Sequence, residues 1–309
     1  MPIKVQNDLP AKKVLTDENI FVMDETRALK QDIRPLEICI LNLMPLKEAT
    51  EVDLLRSFSN TPLQINVTFL TTVSYVGKNT AKSHLDQFYL TFDDVKNRRF
   101  DGLIITGAPV EQLEFEEVIY WDELKMIMDW SLTHVTSTVH ICWGAQAGLF
   151  YHYGIPKIPL DKKMFGLFRH RVQNRREPIV RGFDDEFWMP HSRHTTVDQE
   201  AVKNHPELTV MAESPEAGIF LVIAKGGRQI FIMGHPEYDR LTLDREYKRD
   251  LEKGLPIELP RNYYPEDNPD NRPSLLWRAH ANTLYTNWLN YYVYQETPYD
   301  LGKAENTEQ

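Results

Sequence analysis

Residues 136–148 read TSTVHICWGAQAG, and the fold turns on how this stretch is interpreted. Residues 136–141 read as a strand, and they run into Cys142 and then into Gly144, Ala145, Ala147 and Gly148, small residues that open a helix. A strand, a tight turn and a helix in that order form the repeating unit of a parallel α/β sheet, in which ligands sit beyond the carboxyl ends of the strands. Cys142 falls at such an end.

The same alternation recurs on both sides. Residues 38–41 (ICIL) and 101–106 (DGLIIT) read as buried parallel strands, the second halted by Gly107, Ala108 and Pro109. Residues 64–70 carry the two-residue period of a strand, while residues 48–57, 91–99 and 121–131 have helical spacing. Beyond Pro156 the pattern breaks into short strand-like pieces at 179–183, 187–190 and 208–212, which predict antiparallel additions. Residues 219–224 and 229–233 flank Gly226 and Gly227, the positive-φ pair of a tight hairpin, and the second strand delivers Gly234, His235, Pro236 and Glu237. Residues 239–253 predict a charged helix, 255–273 a proline-rich loop, and 274–294 a final amphipathic, aromatic-rich helix. The expected class is α/β: a mostly parallel sheet flanked by helices, with antiparallel additions. Residues 1–33 read as an irregular arm packed on the body, 34–296 as a single catalytic domain and 297–309 as a frayed tail.

Composition narrows the function. The chain has 309 residues, 42% apolar and 26% charged, enough for a sizeable core. Its net charge of −10 argues against nucleic acid or anionic lipid as partners, and no run approaches the roughly 20 apolar residues of a membrane-spanning helix. Two cysteines, Cys39 and Cys142, and a start without an apolar leader predict a cytoplasmic protein with reduced thiols.

Cys39 lies within a strand and reads as a small core residue, whereas Cys142 occupies a turn that exposes a side chain at the positive end of a helix. A thiol nucleophile needs a base and a group to orient that base. His235 and Glu237, two apart at a strand end, fit those roles. His191, His194 and His205 do not recur with acidic or thiol ligands at metal-binding spacing, so no metal is expected. Arg169, Arg171, Arg175 and Arg176 read as a solvated basic face, with contact to the phosphates of a bound nucleotide as the sharper alternative.

With these residues in view, the chain resembles the cysteine-dependent homoserine O-acyltransferases, which share the flavodoxin-like class I glutamine amidotransferase-like fold and its Cys-His-Glu triad. The resemblance rests on residues 41–70 (LNLMPLKEATEVDLLRSFSNTPLQINVTFL), 101–111 (DGLIITGAPVE), 140–149 (HICWGAQAGL), 189–195 (MPHSRHT) and 233–239 (MGHPEYD). It implies that Cys142 takes an acyl group from an acyl-CoA as a thioester, that His235 deprotonates the homoserine hydroxyl and that Glu237 orients His235. It further implies substrate-binding roles for Lys163, Ser192 and Arg249, with Arg249 suited to a carboxylate and Lys163 to the acyl donor.

The backbone N–H of Trp143 is the expected first oxyanion donor, and the second comes from near Leu46 or from the 107–110 turn. Glu111 stands where the family sorts acyl donors, a glutamate going with acetyl-CoA and a glycine with succinyl-CoA. A carboxylate there would occupy volume and repel the free carboxylate of a succinyl chain. The resemblance therefore implies acetyl transfer from acetyl-CoA as co-substrate to L-homoserine, no permanently bound cofactor, and a homodimer. The alternatives are O-succinyl transfer and, in another class, a glutamine amidotransferase subunit. The last is weakened by His140, where those glutaminases usually carry glycine two residues before the nucleophile, and by the lack of a phosphate-binding loop of the GxxxxGK type.

Overall fold

The computed structural model describes residues 3–6, 8–18, 22–24, 34–74 and 80–297. Residues 298–309 of the expected tail, and residues 25–33 of the expected arm, lie outside the described residues.

Twelve strands form one sheet. In chain order they are β1 (Ile3–Val5), β2 (Val22–Asp24), β3 (Leu36–Leu41), β4 (Ile65–Leu70), β5 (Tyr89–Leu90) and β6 (Phe100–Ile105), then β7 (Val135–Ile141), β8 (Lys157–Val172), β9 (Glu186–Val197), β10 (Leu208–Ser214), β11 (Gly218–Ala224) and β12 (Gln229–Ile232). Their spatial order is β2-β1-β4-β3-β6-β7-β12-β11-β10-β8-β9, with β5 beside β4. From β2 to β12 the neighbours run parallel, and from β12 to β9 they run antiparallel. This is the expected mixed α/β sheet with antiparallel additions.

The helices are α1 (Pro10–Asp17), α2 (Lys47–Phe58), α3 (Lys82–Phe88), α4 (Phe92–Val95), α5 (Trp121–His134), α6 (Trp143–Tyr153), α7 (Gln199–Asn204), α8 (Thr242–Glu252) and α9 (Arg278–Asn287). Successive strand residues face opposite sides, and the core divides accordingly. Ile38, Ile40 and Ile104 pack with Leu54, Trp277 and Trp288 on one face. Cys39, Leu41, Leu103 and Ile105 pack with Leu124 and Ile127 of α5 on the other. Register aligns the carboxyl ends: Leu41 pairs with Ile105, Ile105 with His140, and Ile141 with Ile232. The turns after β3, β6, β7 and β12 therefore meet at one edge of the molecule. Among the described residues, no helix is long and apolar enough to cross a membrane.

Several elements differ from the sequence reading. Residues read as irregular near the start contribute β1, inserted between β2 and β4, and α1, which buries Ala11 and Leu15. Three-residue strands are too short to display a period. Residues 179–183, expected as a strand, contain a 3₁₀ turn at Pro178–Val180 that starts on proline and is followed by Gly182 at φ 83°. The helix expected at 91–99 is one turn, closed by a capping box between Thr91 and Asp94. The final helix begins at Arg278 and continues as a π-helical segment over Trp288–Tyr294. The hairpin at Gly226 and Gly227 has the expected positive φ at both glycines, with Lys225 joining them at 51°.

Candidate active site

Cys142 sits where β7 gives way to α6, with φ 51° and ψ −114°. A non-glycine residue held there is strained, and it persists only where its surroundings fix it. Its N–H donates to the Ile232 carbonyl at 2.7 Å, and its own carbonyl accepts from the Ala145 and Gln146 amides at 3.0 and 3.1 Å. The turn can close this tightly because residue 144 has no side chain: a Cβ there would lie 2.6 Å from the Thr106 carbonyl oxygen. Gly107, on the neighbouring strand-end turn, faces the same space. A Cβ on it would stand 3.3 Å from the Cys142 Cβ and 3.6 Å from His235 Cε1. The missing side chain leaves room between Cys142 and the His235 ring.

His235 follows the end of β12, and its amide donates to the Pro190 carbonyl at 2.9 Å. Its Nδ1 meets Glu237 Oε1 at 2.7 Å, and its ring stacks on Tyr238 with centroids 4.1 Å apart and planes 11° from parallel. With Nδ1 committed to Glu237, Nε2 serves the hydrogen bond to Cys142. Burial is the largest influence on His235 and opposes a charged ring, yet the charges and hydrogen bonds of Cys142 and Glu237 together outweigh it. The imidazole is held well above the ordinary histidine range. The imidazole, held toward its protonated form, lies between the Cys142 sulfur and the Glu237 carboxyl group.

A second cluster lies on α8 and the antiparallel strands. Glu246 Oε1 accepts from Lys163 Nζ at 2.6 Å and from Ser192 Oγ at 2.7 Å, and Arg249 approaches it at 3.7 Å. Asp250 also pairs with Arg249 at 2.7 Å and with Lys163 at 3.5 Å. The three polar residues singled out from the sequence thus converge on Glu246, which sequence reasoning missed. Its only signal was a position three before Arg249 on a helix.

Glu111 joins the two clusters. Burial pushes its carboxyl up, while the His194 backbone, His194 itself, His235 and Lys163 pull it down, and burial wins. Trp143 is the first residue of α6, where amides have no acceptor within the helix, and its indole is fully buried beside Phe115 and Tyr120.

The remaining candidates sit elsewhere. Arg169 and Arg171 both pair with Glu186, at 3.2 and 3.0 Å, and Arg175 pairs with Asp185, so these arginines have acidic partners of their own. His191 contacts His170 and Arg193, whereas His205 accepts from the Glu207 amide, so the two do not share a site. Among the described residues, no group of three or more His, Cys, Asp and Glu side chains gathers as a metal site. A cavity of about 800 Å³ lined by Phe100, Val135, Lys225 and Arg228 opens at the amino ends of β6 and β7, away from Cys142.

Comparison with known proteins agrees with this geometry. Among solved structures, a glutamine amidotransferase from Thermotoga maritima superimposes with a TM-score of 0.57 at 13% identity, covering 85% of this chain and all of that one. Another, from Methylobacillus flagellatus, gives 0.51 at 11% identity over 84% of this chain and 95% of its own. At those identities the likeness concerns the fold. Much more similar in sequence is a homoserine O-acetyltransferase of Lachnoclostridium phytofermentans, 72% identical over 97% of this chain and 100% of that protein. A homoserine O-acetyltransferase of Geobacillus kaustophilus is 61% identical over 97% of this chain and 99% of its own length. The family model described as homoserine O-succinyltransferase matches residues 2–299. Fold, triad geometry and sequence agree, and the chain belongs to the homoserine O-succinyltransferase family.

Proposed function

We propose that the protein is a homoserine O-acetyltransferase, an acyltransferase of methionine biosynthesis that works by a ping-pong mechanism. The observation that carries this reading is the Cys142, His235 and Glu237 constellation at adjoining strand ends, in a chain 72% identical to a homoserine O-acetyltransferase. The Cys142 thiolate attacks the carbonyl carbon of acetyl-CoA. The bond from that carbon to the CoA sulfur then breaks, and the CoA thiolate leaves with the proton from His235. Neutral His235 next takes the hydroxyl proton of L-homoserine as its oxygen attacks the thioester. The C–S bond breaks, and O-acetyl-L-homoserine and the Cys142 thiolate are released. Glu237 keeps the imidazole oriented throughout. The oxyanion of each tetrahedral intermediate is stabilised by the Trp143 amide and by an amide of the Gly107 turn, which abuts Cys142, whereas Leu46 is 58% exposed.

Arg249, half-exposed and paired with Asp250, suits the homoserine carboxylate, and Glu246 suits its ammonium group, with Ser192 and Lys163 holding Glu246. Lys163 also bears on Glu111, which is how it reaches the acyl-donor side. The carboxylate of Glu111 beside His235 would repel the distal carboxylate of a succinyl donor, which favours acetyl-CoA within a family whose model is described by succinyl transfer. We also propose that residues 34–296 form the catalytic unit with residues 1–33 as its arm, that the enzyme is cytoplasmic, and that it is a homodimer without a resident cofactor. The test is CoA release with L-homoserine, with acetyl-CoA and succinyl-CoA compared side by side and the ester identified by mass. A strong acetyl preference that disappears in Cys142→Ala supports the reading. A succinyl preference removes the role of Glu111, and glutamine hydrolysis without CoA release would replace acyl transfer with amidotransferase chemistry.

A further inference from the structure

Arg193 is a buried charge that the mechanism above does not use. It lies in β9, where buried and half-buried residues alternate: Ser192 and His194 point to the substrate side and His191, Arg193 and Thr195 to the layer beneath. Arg193 is 0% exposed, and its guanidinium donates only to neutral acceptors. Nη1 reaches the Thr195 carbonyl at 2.9 Å, Nη2 the Ala217 carbonyl at 2.6 Å, and Nε the His191 Nδ1 at 3.3 Å. Arginine has no acceptor to offer, so His191 carries its proton on Nε2 and donates to His170 Nε2 at 3.0 Å. Burial keeps both of these histidines neutral, so neither adds a second positive charge beside the guanidinium.

Two short paths tie this guanidinium to the triad. Thr195 exchanges hydrogen bonds with Gln146 at 2.8 and 3.3 Å, and the Gln146 amide donates to the Cys142 carbonyl at 3.1 Å. On the other side, the His191 ring lies 3.1 Å from where a Gly234 Cβ would stand, immediately before His235. An arginine stays charged in such a place, and a buried charge without a partner is costly. Burial draws Arg193 down to about 10, and the two negative groups that offset this are the Cys142 sulfur and the Glu111 carboxylate.

We propose that Arg193 is a positioning residue for the nucleophile: its buried guanidinium is the fixed positive charge beneath the elbow, offset by Cys142 as a thiolate together with Glu111, and left with Glu111 alone while Cys142 is acylated. It therefore favours the step in which the acyl carbon bonds to the attacking hydroxyl oxygen, the C–S bond breaks and its electron pair returns to sulfur, while the hydroxyl proton goes to His235. The proposal rests on Cys142 being the nucleophile.

The experiment follows the pH profile of Cys142 alkylation by iodoacetamide, with peptide mass separating Cys142 from the buried Cys39, in the wild type, Arg193→Gln, Arg193→Met and Arg193→Lys. Replacing a buried charge by an apolar residue of similar size often preserves folding, so Arg193→Met keeps the test available if Arg193→Gln does not fold. The neutral variants are expected to react about tenfold more slowly at neutral pH, with the profile displaced upward by about one pH unit, and Arg193→Lys to recover most of the rate. Mass spectrometry after acetyl-CoA alone, followed by addition of L-homoserine, should show the acetyl group leaving Cys142 more slowly in the neutral variants. A folded neutral variant with the wild-type pH profile overturns the proposal. Wild-type protein in which Cys142 is neither alkylated nor acetylated overturns the nucleophile assignment itself.

Discussion

At position 111 burial raises the pKa of a carboxyl group that also feels the charges of His235 and Lys163. Glu111→Gly removes both volume and charge there, so succinyl-CoA turnover should rise relative to acetyl-CoA by about tenfold or more, the equivalent of roughly 1.4 kcal/mol of discrimination. Paired kcat/KM measurements check this, and an unchanged ratio would detach donor choice from Glu111. The strand-end positions of Cys142, His235 and Glu237 were legible in the sequence because each follows a strand whose end is punctuated by small residues or proline. Glu246 was not legible, since its partners come from β8, β9 and α8, and only the folded chain brings Lys163, Ser192 and Arg249 to one oxygen. Arg193 escaped notice for a different reason: an arginine in a polar run reads as solvated, and nothing local reports that it is fully buried.

Between elements, α1 is fastened to α2 by Arg56, which pairs with Glu18 just beyond α1 at 2.6 Å and with Asp53 at 2.7 Å. The Arg56 and Asp53 side chains are largely buried, at 7% and 11% exposure. Burial pushes the Asp53 carboxyl up to about 7 despite Arg56, so Arg56→Ala is expected to cost about 3–5 kcal/mol above that pH, where Asp53 would be a buried charge without its cation, and less below it, measurable by urea unfolding, with release of the N-terminal elements detected by limited proteolysis. An unfolding midpoint equal to wild type would mean that Asp53 is neutral in the folded protein. Strand legibility followed burial. In β3, β6, β7 and β11 every residue but Glu37 and Thr136 is buried, and the apolar runs of β3, β6 and β11 stand out in the sequence. β8 does not: over Lys157–Val172 it alternates lysine, aspartate and arginine with short apolar pieces and is half exposed. It is held by pairing with β9, and by the Arg261 backbone in the proline-rich segment, neither of which a local pattern can announce.

For the molecule as a whole, pH acts through histidines that folding keeps neutral. Burial lowers His140 and His170 to about 3, and His191 lies well below its ordinary value. The unfolded chain binds protons at these positions below about pH 6.5 while the folded chain does not, so stability falls as the pH drops from there toward 3. Each group contributes about 1.4 kcal/mol per pH unit in that window, and His140→Gln should reduce the slope of unfolding free energy by that amount. An unaltered slope would show that His140 is protonated in the native state. His235 has the opposite sign: its raised pKa gives stability that is complete at low pH and disappears as the pH rises through the folded value. One further consequence follows from the backbone at Cys142, where φ is 51° in a residue that is not glycine. That conformation opposes folding at the position where the reactive sulfur is mounted. On the proposed reading of Cys142 as nucleophile, a laboratory screen selecting only for thermal robustness would therefore drift toward glycine at 142 and discard catalysis first.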